Sequence, residues 1–317
     1  MLVSQISKMT GRAASLLSTI VEMNPLFQHA QFRIDPSSFP HGVDKSTFSN
    51  SAARAEGAAA QKDAQVPALS LVSLALYSRE ISIDDVRKMD AQIAGSTRLL
   101  EQFSERQLRA LALKLGAEIQ DDMIIGTASS YKMLGLANLV KDANAAGQTQ
   151  ALGFTTAEQA AMNQNVSLQL STTANQDTFV EVLFKALGDV NGANAILVNS
   201  NLAARLMTIA KRVGAAGETV NSFGVPVSTF NKVPIVTLPT SAIGQTESDG
   251  TNSDCTSAYI VRFAEELGVC FSTNSGFYFQ DFPDFQTYPN GSARMQFFLN
   301  LVVERTDALK RLSRIRL

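Results

Sequence analysis

Enzymatic chemistry needs nucleophiles, acids or metal ligands at set spacings, and this sequence holds few. Its only histidines, His29 and His41, stand twelve residues apart, so no His-x-x-x-His metal pair can form on adjacent turns of a helix. Cys255 and Cys270 are too few for a zinc site or a disulfide framework and read as packing residues of a reducing compartment. The phosphate-cradling patterns G-x-G-x-x-G and G-x-x-x-x-G-K-[ST] are absent, as is the G-x-S-x-G nucleophile elbow. Asp121-Asp122 and Glu265-Glu266 are adjacent pairs whose side chains point different ways. They read as solvated acids or a helix end, and a glycosidase-type pair, which depends on distance in space, stays open. The aromatic run SGFYFQDFPDFQTYP, Ser275 to Pro289, carries Asp281 and Asp284 and no cation, which suits packing or a subunit contact better than base stacking. The residues assign no catalytic group, no metal site and no cofactor.

What remains is architecture. The 317 residues are 45% hydrophobic and 18% charged, enough to bury a real core in one or two domains. A formal charge of -2 speaks against a dedicated nucleic-acid binder, whose backbone contacts need clustered cations. The one basic cluster is the end, ERTDALKRLSRIRL, which reads first as a solvated face on a terminal element. No stretch approaches the ~18 apolar residues of a membrane span, and the start lacks a signal-peptide h-region, so synthesis in the cytosol is expected.

Periodicity then places elements. Residues 2 to 23 carry Leu2, Ile6, Met9, Leu16, Ile20 and Met23 at helical spacing, with Pro25 at the exit. FQHAQFRI (27–34) and ALSLVSLALYSR (68–79) have strand character around a small, polar stretch, so 27–79 is expected to be a long two-stranded arm. Such a ribbon is marginal alone in water, and residues 27–81 are expected to find their stability on adjoining copies. Ser82 and Asp85 form a capping-box pattern that would open a helix of up to about 40 residues, ~60 Å, or two helices broken near Gly95-Ser96. Gly126 and Gly135 punctuate the turn that follows. Asp177 and Ser200 are the expected caps of TFVEVLFKALG and NLAARLMTIAKRVG, with Gly214 closing the latter and AILV before it as a buried strand.

GVPVSTFNKVPIVTLP reads as a hairpin turning at Asn231-Lys232, and its prolines place it at a sheet edge or projecting outward. A polar loop, Ser241 to Ser257, leads to strands SAYIVRF and LGVCF. In MQFFLNLVVER the apolar residues Met295, Phe297, Leu299, Leu301 and Val303 alternate as in a strand with one buried face. Helices and strands mix without strict alternation, which is the α+β class.

Taken in order, these stretches resemble tailed-phage major capsid proteins, whose Hong Kong 97-like fold is shared with encapsulins. GTASSYKMLGLANL ends in the Gly-Leu that follows the spine helix; ILVNSNLAARLMTIAKRVG matches a strand, an Asn-Ser helix start and a glycine stop. GVPV, AYIVRFAEELGV and FFLNLVVERTDALKRLSRI follow in the family's order. The resemblance spans most of residues 82–317. It implies an N-terminal arm (1–35), an extended β-hairpin E-loop (36–81), a peripheral domain with the spine helix (82–135), an axial domain (136–284) and a return to the peripheral domain (285–317).

Its functional implication is a non-enzymatic protein that assembles as hexamers and pentamers into an icosahedral shell around double-stranded DNA. It would be made in a bacterial cytoplasm and reside in the virion. Portal, and possibly separate scaffolding and decoration proteins, would be partners, with no membrane involved. A chain opening on an arm rather than a helical prodomain favours a separate scaffold. Lys310, Arg311, Arg314 and Arg316 would face DNA without reading its sequence. Phe39, Lys45, Phe48, Arg54 and Lys62 of the E-loop would touch a neighbouring subunit; no partner pattern marks Lys45 or Lys62 for covalent cross-linking. An encapsulin compartment loading a cargo enzyme is the alternative, though that family usually has an arm shorter than residues 1–81. An unfamiliar α+β enzyme is the third reading.

Overall fold

The 14-residue strand β13 (Asn290–Val303) organises one half of the chain. The computed structural model describes residues 12–36, 38–43, 68–84, 97–127, 132–140, 154–220, 224–274, 277–282 and 290–317. As its alternation implied, β13 buries Met295, Phe297, Leu299, Leu301 and Val303 while Gln296 and Asn300 stay partly exposed. It pairs antiparallel with β4 (Ala75–Asp84), β12 (Phe277–Phe282) and β11 (Val269–Thr273), and β1 (Phe32–Ile34) joins β11 in parallel.

The buried face of this five-stranded sheet packs on the spine helix α3 (Thr97–Ile125), whose Leu108, Ala112, Leu115, Ile119 and Met123 fall three or four apart on one side. The first helix, α1 (Arg12–Met23), lies against it with Leu16, Leu17, Ile20 and Val21. Gly116 permits that approach: a Cβ there would stand 2.5 Å from the Asn24 amide nitrogen and 3.0 Å from Ile20.

Two expectations change here. Ser82 lies in β4, which runs to Asp84; Asp85 and the break weighed near Gly95-Ser96 lie outside the described residues, and the spine helix described from Thr97 runs 29 residues, about 44 Å at 1.5 Å per residue. Ser82 is in the strand because β4 pairs with β13 over ten residues, Ala75 to Asp84, and alternates Tyr77, Arg79 and Ile81 along it. Residues 27–34 are not one strand. Pro25 opens a short helix, α2 (Pro25–His29), because its fixed φ suits the first helical position and its missing amide costs nothing there. The two-stranded ribbon is therefore β2 (Ser38–Val43) with β3 (Ala68–Ser73), while β1 and β4 on either side of it belong to the chain's own sheet.

A seven-stranded sheet makes the other half, in the order β5 (Asn163–Gln169), β14 (Leu309–Arg316), β10 (Cys255–Val261), β6 (Ala195–Asn199), β9 (Val233–Leu238), β8 (Pro226–Phe230), β7 (Ala216–Val220). Its central strands β6 and β10 are buried on both faces. Along β6, Ile196 and Val198 enter the core beneath α6 (Thr173–Asp189) and α7 (Ser200–Val213), while Ala195 and Leu197 enter the core shared with the spine helix. The caps of α6 and α7 are Thr172 and Asn199, not Asp177 and Ser200. Each accepts the amide three residues on while its own backbone stays extended, which a residue already inside the helix cannot do. Asp177 instead pairs with Arg212 at 2.7 Å, and Gly214 closes α7 in the left-handed conformation, φ 73°.

The hairpin turns where expected, with Asn231 and Lys232 at φ 47° and 68°, both positive as a primed turn requires. It is not at the edge, since β9 pairs with β6 and β7 lies beyond β8. The ladder's phase explains how the prolines fit. The Asn231 amide donates to the Ala215 carbonyl at 2.9 Å, so hydrogen-bonded pairs to β7 fall at Thr229 and Val227 and skip Pro226. Thr229 bonds toward β7, which makes its pair with Pro234 a non-bonded one, and pairing of β9 with β6 starts only at Ile235.

β11 and β12 thus belong to the sheet on the spine helix, and β14 to the seven-stranded one.

Candidate functional site

No catalytic constellation assembles among the described residues, and no three metal-ligating side chains cluster there. Of the adjacent acids, Glu265 and Glu266 are exposed, while Asp121 and Asp122 are occupied structurally. Asp122, read as a solvated acid, is buried; it accepts the Tyr77 hydroxyl at 3.1 Å and pairs with Lys132 at 3.1 Å. The Tyr77 oxygen in turn accepts the Met133 amide, and burial pushes this phenol's pKa up. Asp121 accepts the Ser241 hydroxyl at 3.1 Å, and its pKa is raised, chiefly by desolvation. Among the described residues no helix is long and apolar enough to cross a membrane.

The densest polar network centres on Arg311, in β14 between β5 and β10. Its guanidinium pairs with Glu247 at 2.6 Å and donates to the Ser257 hydroxyl at 3.0 Å and to the Val140 and Ala137 carbonyls at 2.6 and 3.3 Å. It also stands 5.6 Å from the centre of the Tyr259 ring, and burial pushes the Tyr259 pKa up to about 12. One side chain so fastens the polar loop to the sheet and to α4 (Leu136–Leu139), the turn after the spine helix. Arg311 is 8% exposed and cannot line a solvent-facing surface, which corrects its reading as a DNA-facing residue. Lys310 reaches Asp189 and the Ala161 carbonyl at the end of α5 (Thr156–Ala161), Arg316 pairs with Asp254, and the Arg314 amide donates to Glu247 from a left-handed backbone, φ 62°.

The spine-helix turn is built from two glycines. The Gly135 amide donates to the Gly126 carbonyl at 2.8 Å, and a Cβ on Gly135 would stand 2.5 Å from both the Gly126 nitrogen and the Ile124 oxygen.

Among the described strands, β2 and β3 of the ribbon pair only with each other. Phe39 sits in β2 opposite Val72; Lys45, Phe48, Arg54 and Lys62 lie outside the described residues. Val72 is buried against Cys270 and Val302, and the Asn300 side chain donates to the Ser73 carbonyl, so the ribbon's root is held by its own body. One residue on, Leu71 is 74% exposed. The expectation that all of 27–81 depends on other copies thus narrows to the ribbon beyond Val72. Cys270 below it is a packing residue as read, its thiol pKa pushed up to about 12 by burial. A half-open cleft lies between α2 and the hairpin, lined by His29, Met207, Val225, Val227, Ile235 and their neighbours.

No protein-family model matches the sequence, and no curated protein matches it either. Solved structures do match. The holo-SrpI encapsulin complex from Synechococcus elongatus PCC 7942 superposes with a TM-score of 0.57 at 15% identity, over 92% of this chain and 87% of that one. The capsid of a native GTA particle gives 0.55 at 13% identity, over 92% and 90%. A virus-like particle from Pyrococcus furiosus gives 0.53 at 12%, over 94% and 96%. At such identities the likeness carries the fold: the chain has the Hong Kong 97-like α+β fold of those shells.

Proposed function

We propose that this chain is the major capsid protein of a tailed phage, assembling through hexamers and pentamers into an icosahedral shell that encloses double-stranded DNA. The observation that carries the reading is the match of nearly the whole chain, 92 to 94% of it, to the folds of shell proteins. Two others support it. The described acids and histidines form no reactive cluster, and the ribbon leaves Leu71 bare beyond its root. Many weak contacts repeated around closed symmetry axes suffice for a stable shell, so no single interface has to be strong.

In this reading Phe39, Lys45, Phe48, Arg54 and Lys62 touch a neighbouring subunit. Lys310, Arg314 and Arg316 contribute a modest, sequence-blind basic surface without Arg311. Portal, scaffolding and decoration proteins are the further partners, and the protein resides in the virion after synthesis in the host cytoplasm. The second reading, a compartment enclosing a cargo enzyme, is favoured by the 0.57 match to an encapsulin. Electron microscopy of particles purified from the native source, with assay of their contents, separates the two: packaged DNA supports the phage shell, packaged protein the compartment, and the absence of shells removes both.

A further inference from the structure

The seven-stranded sheet has two edges, and the chain treats them differently. At β5 the edge is broken: Ser167 sits at φ 47°, the register with β14 slips between Ser313 and Ile315, and the Gln169 carbonyl is taken by the Asn175 side chain at 2.7 Å. Bulges and local caps of this kind keep an edge from pairing. At β7 none of this is present. All five residues, Ala216 to Val220, are exposed, the register with β8 is unbroken, and no described strand lies on the other side.

The phase of the ladder says which groups are open. With the Ala215 carbonyl bonded to Asn231, residues 217 and 219 form the hydrogen-bonded pairs with β8. The amides and carbonyls of Ala216, Glu218 and Val220 therefore face outward, spaced for one further strand.

We propose that this edge receives an extended segment of a second copy of the chain, in a head-to-tail contact that closes a ring of subunits. The inference rests on the shell reading above, which supplies the copies. The head-to-tail geometry comes from Glu218. Two-fold pairing of β7 with itself, centred on this residue, would set two carboxylates opposite each other, and like charges directly opposite destabilise a strand pair. The segment received is thus a different surface of the neighbour, neutral or cationic opposite Glu218, and heterologous contacts of this type generate rings when the rotation closes. Val220 and Val225, 64% and 50% exposed, give the same edge an apolar end to cover.

Hydrogen exchange on the full chain, assembled and dissociated, tests this, together with two proline variants. The Glu218 amide should exchange at least about tenfold more slowly in the particle than in free subunits. Glu218→Pro removes an outward amide and spares the bonds to β8, so it should fold and lose assembly; Thr219→Pro, which breaks an internal pair, should lower the melting temperature of the free subunit. Particles of the unaltered chain with a fast Glu218 amide, or Glu218→Pro assembling at the unaltered concentration, overturn the inference alone. If Glu218→Pro fails to fold, the exchange result decides. Failure of the unaltered chain to form any particle overturns the shell reading and the inference together.

Discussion

Arg311 buries a full charge at the meeting point of the sheet, the polar loop and the turn after the spine helix, and its worth is measured by what its removal leaves behind. Arg311→Ala would leave the Glu247 carboxylate without its counter-charge, held only by the Ser257 hydroxyl and the Arg314 amide, and would strand two backbone carbonyls. Because Glu247 keeps a quarter of its side chain in water, the cost should be about 2–4 kcal/mol, somewhat under that of a dry pair, read as a shift in denaturant midpoint. Adding Glu247→Gln should recover part of the loss, since the stranded charge is gone. His29 supplies the pH dependence. Burial lowers its pKa below 6.5, so the unfolded chain binds the proton more readily. Stability should be full above about pH 6.5 and fall as pH drops below it, and His29→Gln should flatten that slope in melts between pH 7.5 and 5. Sequence alone hid Arg311 because β14 is a buried central strand with a slip at Ser313/Ile315, so its apolar residues Leu309, Leu312 and Ile315 fall three apart instead of two. Its one readable sign was a leucine and isoleucine pattern within the basic run.

At the scale of elements, local chemistry was legible and neighbours were not. The turn at Asn231-Lys232, the glycine stop of α7 and the alternation of β13 are written within a few residues, and all three stand in the structure. The edge position of the hairpin was misjudged because it depends on β7, a strand of Ala, Gly, Glu, Thr and Val with no core face to announce it. Ser82 reads as a helix cap and lies in a strand, because pairing over ten residues with β13, more than 200 positions away, leaves no local sign. The glycine turn tests the element level directly. Gly135→Ala drives a methyl against backbone atoms on two sides, neither able to yield, and should cost about 1–3 kcal/mol as overpacking does. The same change at Gly188, where nothing lies within 4 Å, should be neutral or slightly stabilising, with calorimetry of the two variants side by side as the check.

For the whole molecule, two sheets share a core around the spine helix, and among the large apolar residues that a single copy leaves exposed are Leu71 on the ribbon, Val220 on the open edge and Met23 at the end of α1. A monomer could tolerate such residues singly, and those on the ribbon and the open edge are where a repeating contact would cover them. The most direct measurement is the mass of the purified chain in solution by analytical ultracentrifugation across a concentration series. Growth from subunits into a closed particle of many copies, uniform in size, is expected. A species fixed near 34.1 kDa at every concentration, with the ribbon's amides already protected in it, would end the shell interpretation.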